Sequence, residues 1–339
     1  MDFTLSEEQQ MFAETARSLF ADTCTPDHWR RLMEAGQSRD PARWQAIVET
    51  GFTQLLLPES AGGLGLGELD FALIAEAAGS VALPDPLVES AGIASPMLAA
   101  LAPDHPALAD PSATIAIQHP ANPFVADADS AAAIILHRDG QAFVATRDQV
   151  RLMRRDSIDP FRRLFAVEWS EATPLGTGDW NLALDRGALF AAAQGLGLAQ
   201  RAVDMGVAYA KERQQFGKPI GSYQAVKHHL ASAQVAIEFA RPVVYAAAAQ
   251  IGQRDAFSQA RISHAKIVAL EAADQAARTS IQVHGAMGYS WEVDVHLFLK
   301  RALALTNCWG TPAFHRARVA ERLFSRPAGP DQTFAREAA

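Results

Sequence analysis

From Asn181 to about Phe324 the chain keeps a single period, that of a helix, with few interruptions. Leu189 to Ala210 is a long alanine-rich run. After Ser222, the residues Val226, Leu230, Ala233, Ile237 and Ala240 recur at spacings of three and four, which puts them on one helical face. Pro242 is expected to kink or break that helix, because it lacks an amide hydrogen and its ring crowds the preceding turn. Ile262 to His284 predicts a third helix, ended by Gly285 and Gly288. Long antiparallel helices with short links pack as a four-helix bundle, here over residues 181–326. The tail, 327–339, rich in Pro, Gly and charge, is expected to fray.

The segments before the bundle differ from it and from each other. Residues 1–110 read as an N-terminal helical domain. Ser6 and Gln9 have the spacing of a capping box, and Phe12, Ala16, Leu19 and Phe20 follow at helical intervals. A second helix is expected around Pro41 to Thr50, and another over Leu69 to Ala78, with a glycine-rich turn at Gly62-Gly63-Leu64-Gly65 between them. Residues 111–180 carry short, partly β-branched runs: Thr114–Ile117, Ala132–Leu136, Ala142–Thr146 and Leu164–Trp169. Asp139-Gly140 between two of them is a hairpin signal. This zone predicts a small antiparallel sheet unit. The fold class is therefore mainly α with a small β-domain.

Bulk properties exclude several roles. With 339 residues, 49% of them hydrophobic, the chain can bury a large core. A formal charge of −8 offers no basic surface to a nucleic acid. Cys24 and Cys308 are too few for a disulfide framework or a zinc site, so no metal is expected, and Cys308 reads as a buried small hydrophobe. The start of the chain lacks the basic and apolar regions of a signal peptide, and no run is long enough to span a bilayer. A cytoplasmic protein is expected. Arg154-Arg155 and Arg162-Arg163 read as solvated faces, as do Glu292 and Asp294 beside Trp291.

Three blocks carry chemistry. The first is Leu56-Leu57-Pro58-Glu59-Ser60-Ala61-Gly62-Gly63-Leu64-Gly65. The second is Tyr209-Ala210-Lys211-Glu212-Arg213-Gln214-Gln215-Phe216-Gly217-Lys218-Pro219-Ile220, followed by Gln224. The third is Gln282-Val283-His284-Gly285-Ala286-Met287-Gly288-Tyr289, which runs without gaps to Trp309-Gly310-Thr311. In this order and spacing they resemble the signature blocks of the acyl-CoA dehydrogenases, flavoenzymes that desaturate acyl thioesters. The resemblance implies a helical domain, a middle β-domain and a C-terminal four-helix bundle, with FAD as cofactor and an acyl-CoA as substrate.

It also implies roles for particular residues. Arg213 stands where the family clasps the FAD pyrophosphate, a task suited to a guanidinium's charge-assisted bidentate bonds. Phe216 would pack against the adenosine half. Gln224 and Gln282 would offer amide hydrogen bonds, and Gly285 close backbone approach. In the family this set reaches across a subunit interface to a neighbour's FAD. Ala286 replaces the block's usual second glycine, and His284 reads as a packing or hydrogen-bonding residue.

Two departures qualify the resemblance. The family's flavin-ring loop and strand have no recognisable counterpart between Ser112 and Pro174, although Asp159-Pro160-Phe161-Arg162-Arg163-Leu164 resembles the end of the middle domain. The catalytic glutamate's place is taken by Trp309, and an indole has no usable base. Some members carry the glutamate at the start of the first bundle helix, where this chain has Asp185 before Arg186. Asp185 is one methylene shorter, and a misplacement of about 1 Å can cost about 100-fold in rate. Otherwise it reads as a helix-start carboxylate or an ion pair with Arg186.

The chain thus resembles the short subunit of the heteromeric, α2β2 bacterial dehydrogenases of steroid side-chain CoA esters. A full-length homologue would then supply the flavin-ring contacts and the base. The alternatives are a self-sufficient homomeric dehydrogenase using Asp185, and a non-enzymatic assembly scaffold of the same fold.

Overall fold

The computed structural model describes residues 4–325, so the expected frayed tail lies outside the described residues. The N-terminal segment is helical. It comprises α1 (Glu7–Thr23), α2 (Pro26–Glu34), α3 (Pro41–Glu49), α4 (Glu68–Ser80), α5 (Leu87–Glu89), a π-turn at Ser90–Ala94, α6 (Ser95–Leu101) and α7 (Pro106–Ala109). The Ser6 capping box is formed: Ser6 Oγ accepts from the Gln9 amide and Gln9 Oε1 from the Ser6 amide, each at 3.1 Å. Helix α2 was not expected. Thr25 caps it and Pro26 fills its first turn, where a missing amide hydrogen costs nothing.

Residues 115–177 form two sheets. β1 (Ile115–Ile117), β3 (Ala133–Arg138), β4 (Gln141–Ala145) and β7 (Thr173–Thr177) lie in the order β1-β3-β4-β7. β2 (Val125–Ala126), β6 (Leu164–Trp169) and β5 (Val150–Arg155) form the second, in that order. The expected hairpin is present. Asp139 and Gly140 have φ of 51° and 79°, the left-handed pair that lets a two-residue turn follow the strand twist. The antiparallel expectation fails at one place: β1 pairs with β3 in parallel. The chain leaves β1, crosses to the other sheet as β2, and returns in its original direction.

The C-terminal part holds α8 (Trp180–Glu212), a hairpin of β8 (Gln214–Gln215) and β9 (Lys218–Pro219), α9 (Gln224–Ala248), α10 (Ala256–His284), α11 (Val295–Thr306) and α12 (Pro312–Phe324). Asp179 caps α8 by accepting from the Leu182 amide at 3.0 Å. Alanine and glycine let α8 pack against neighbours on several sides. At Gly197 an added Cβ would lie 1.9 Å from the Glu76 carbonyl of α4. Helices α8 and α10 run in the same direction, as contacts of Gly195 with Leu270, Gly206 with Ser280 and Tyr209 with His284 show. Helix α9 runs antiparallel to α8, with Gly206 against Leu230 and Gln200 bonded to Gln234, and continues through Pro242, contrary to a break there. The carbonyl that Pro242 leaves unbonded, that of Glu238, belongs to an exposed residue. Among the described residues, no helix is long and apolar enough to cross a membrane.

Candidate functional site

The bundle has two ends of opposite character. Helices α8 and α10 finish side by side, and the Tyr209 and His284 rings stack there with centroids 4.3 Å apart. His284 is buried and its Nδ1 donates to the Ser280 carbonyl at 2.7 Å, the packing role its sequence context suggested. This stack brings Arg213 to the same end as Gln282 and Gly285. The Arg213 backbone is pinned: its amide donates to the Tyr209 carbonyl and its carbonyl accepts from the Ile220 amide, both at 2.8 Å. Its exposed guanidinium has no partner among the described residues.

Phe216 and Gly217 turn the β8–β9 hairpin with φ of 53° and 80°. The Phe216 ring stands 91% exposed, touched edge-on by Tyr223. Gln224 opens α9 at this end, exposed, with Oε1 accepting from His228 Nε2 at 3.1 Å. Gln282 is also exposed. Gly285 ends α10 with φ 63° and ψ −139°, a backbone conformation that only glycine adopts freely, and a Cβ there would meet open space. The five residues singled out by sequence therefore share one end, and their side chains or backbone face outward. A guanidinium without a carboxylate, a bare aromatic ring, two amides and an open glycine fit an anionic, partly aromatic group such as FAD.

At the other end everything is packed inward. Trp309 is 2% exposed and adopts φ 53°. Its amide donates to Asn122 Oδ1 at 2.7 Å, and its carbonyl accepts from His315 Nε2 at 2.8 Å. Lys266 Nζ donates to the carbonyls of Cys308, Trp309 and Gly310, the last at 2.6 Å. Lys266 is 2% exposed, and burial takes its pKa down to about 8. His119, on the loop after β1, sets its ring 5.2 Å from that of Trp309 and donates from Nε2 to the Trp180 carbonyl at 2.9 Å. Sequence reasoning missed His119, Asn122, Lys266 and His315. His119, Asn122 and Lys266 act across long separations with no local pattern to mark them, and His315 lies six residues on, inside the next helix.

Asp185 is 4% exposed and accepts from Arg318 Nη2 at 2.9 Å. Burial raises its pKa although Arg318 pulls the other way. Its expected pairing with Arg186 is not formed, because Arg186 turns to Glu68, its Nη2 2.8 Å from Oε1. Two readings of solvated charge also fail. Arg162 reaches Glu89 and the buried Cys308 thiol, and Arg163 pairs with Asp129. Asp294 is buried and accepts from Arg30 at 2.8 Å. With Arg43–Asp85 and Arg301–Asp159, such pairs join the N-terminal helices, the sheets and the bundle. A cavity of about 380 Å³ adjoins the Trp309 turn between α10, α11 and α12; Lys266 and His315 line it, and none of the residues singled out for cofactor or base does.

Residues 6–104 match the model of the acyl-CoA dehydrogenase N-terminal domain, and residues 176–324 that of the C-terminal domain. The acyl-CoA dehydrogenase IpdE2 of Mycobacterium tuberculosis is 34% identical over 329 residues, covering 96% of this chain and 100% of that protein. The chain belongs to the acyl-CoA dehydrogenase family. IpdE2 of Mycolicibacterium smegmatis is 33% identical over 94% of this chain and 100% of its own length.

Solved structures of the family share the fold. The ChsE4–ChsE5 complex of Mycobacterium tuberculosis superposes with a TM-score of 0.85 at 23% identity, covering 97% of this chain and 100% of the solved chain. The Tcur3481–Tcur3483 steroid ACAD gives 0.82 at 22% identity, covering 94% and 98%. Family membership implies oxidoreductase chemistry on acyl-CoA with FAD as cofactor.

Proposed function

We propose that this chain is the non-catalytic subunit of a heteromeric, FAD-dependent acyl-CoA dehydrogenase that desaturates an acyl-CoA thioester between its α and β carbons. The carrying observation is the contrast between the two ends of the bundle. Arg213, Phe216, Gln224, Gln282 and Gly285 are exposed, and the Arg213 guanidinium has no partner among the described residues. The position where the family keeps its base is a buried indole. A chain that carried out the chemistry itself would need a base at the second end, where this chain has an indole.

On this reading Arg213 and the two glutamines hold a partner's FAD, which when bound accepts the hydride from the β-carbon. The partner, a full-length homologue in an α2β2 assembly in the cytoplasm, brings the glutamate that takes the α-proton. Two of the structural neighbours are complexes of two differently named chains, and one of these is called a steroid enzyme. They support a heteromer and a steroid side-chain CoA ester as substrate.

The test is co-expression with a full-length homologue, followed by native mass and a flavin count. One FAD per pair of chains, lost in Arg213→Ala, is expected. Stoichiometric FAD and acyl-CoA turnover in this chain alone would end the proposal. FAD content unchanged by Arg213→Ala would favour a scaffold without cofactor contacts.

A further inference from the structure

Two local preferences are broken at the Trp309 end, and both breaks serve one contact. Gly187 lies inside α8, where glycine weakens a helix and no turn calls for it. Trp309 adopts φ 53°, a left-handed conformation that bulky side chains avoid. The two residues meet. A Cβ on Gly187 would lie 2.1 Å from Trp309 Cδ2, 2.4 Å from Cγ and 2.5 Å from Cε3. The glycine makes room for the face of the indole, and the strained backbone aims the indole into that room.

The surrounding polar groups hold the turn rather than the ring. Asn122 accepts the Trp309 amide hydrogen, and His315 and Lys266 donate to its carbonyl. Nδ1 of His315 in turn accepts from Ser263 Oγ at 3.0 Å. These groups come from the β1–β2 loop, α10 and α12. The ring itself is left to van der Waals contact, with the His119 ring tilted beside it at 5.2 Å. Close-fitting walls around a flat ring are how a site holds an aromatic ligand.

We infer that the Trp309 indole is a tethered ligand. It fills an aromatic pocket walled by Gly187 and His119, at the position where the family keeps its base. The pocket would take a flat aromatic of indole size if the tether were cut. The consequence for the complex rests on the function proposed above: with the indole seated where a base would stand, the chemistry falls to the partner's site.

A double-mutant cycle between Gly187→Ala and Trp309→Gly, read by thermal unfolding of the full chain and of the co-expressed complex, tests it. In the wild type, Gly187→Ala is expected to lower Tm by about 2–4 °C, because a methyl must displace a rigid ring. In the Trp309→Gly background it should cost less than about 1 °C, since the wall is empty. Free indole at millimolar concentration should raise the Tm of Trp309→Gly by about 1–3 °C and leave the wild type and the double variant unmoved.

Equal losses from Gly187→Ala in both backgrounds would overturn the inference, as would a Trp309→Gly protein that indole does not stabilise. If Trp309→Gly does not fold, Gly187→Ala alone decides, because a neutral effect in the wild type is incompatible with a seated ring. The flavin count is independent of all these readings. A heteromer with one FAD per pair could coexist with a failed cycle, and a successful cycle with a chain that never joins a heteromer.

Discussion

Lys266 makes the energetics of the closed end measurable through pH. Its ammonium is buried and faces three backbone carbonyls. Burial lowers its pKa from 10.5 to about 8, with the nearby Cys308 opposing and Arg162 adding to the effect. At about 1.4 kcal/mol per decade of proton affinity, the gap is worth about 3 kcal/mol. Between pH 8 and 10.5 the unfolded chain holds a proton on this lysine that the folded chain has released. Stability therefore rises with pH through that window.

Thiols act in the opposite sense. Burial lifts the Cys24 pKa from 9.0 to about 11, so the unfolded chain loses that proton first and stability falls with pH between those values. The wild-type curve alone thus mixes the two. The difference between wild type and Lys266→Met isolates the lysine. From pH 8 to 9.5 the wild type should gain about 2 kcal/mol relative to the variant, measured by urea unfolding at each pH. Parallel curves would refute the claim that the ammonium is desolvated at the Trp309 turn.

Two further outcomes are expected. Asp159→Ala removes the carboxylate partner of Arg301, whose guanidinium then keeps, among the described residues, the Leu83 carbonyl at 2.9 Å in a buried site. It should cost about 3–5 kcal/mol in denaturant unfolding, whereas the Asp159→Leu/Arg301→Met pair should cost far less, because an uncompensated charge is worse than none. Asp185→Asn should weaken folding by about 1–3 kcal/mol through the loss of the Arg318 pair, yet leave turnover of the co-expressed complex within about twofold. A 100-fold loss of turnover would instead make Asp185 the base of a self-sufficient enzyme.

What could be read from the sequence was local or repeated. The Ser6 capping box, the Asp139-Gly140 turn and the Gly285 helix end are fixed within a few residues, and each appears as expected. The bundle faces repeat often enough to outweigh single exceptions such as Pro242. Short or mixed signals were lost. Strand β7 carries Pro174 and Gly176, and strand β5 ends in Arg154 and Arg155. Both lie at the edge of a sheet, where such residues are tolerated and where sequence looks least like a strand. The parallel β1–β3 pair was invisible because strand direction depends on the path between strands, not on their composition. Charge was the other blind spot. Arg162 and Asp294 look like surface residues until partners 73 and 264 positions away, Glu89 and Arg30, bury them.

The candidate site divides along the same line. Its exposed end is written in contiguous blocks because a chain that presents groups to something outside itself must hold them on short, rigid local structures: a two-residue hairpin turn, the first residue of a helix, a glycine cap. Its closed end is written in Gly187, His119, Asn122, Lys266, His315 and Trp309, which come from the β-region, α8, α10, α12 and the turn before α12. A packed interior needs only that surfaces meet, so its residues can be scattered. The asymmetry bears on how the proposed function could fail. Mutations at the exposed end should leave folding intact and change what the chain binds. Mutations at the closed end should change folding first. A variant set that reversed this, with Arg213→Ala unfolding the chain or Gly187→Ala sparing its stability while abolishing FAD in the complex, would mean that the two ends have been assigned the wrong way round.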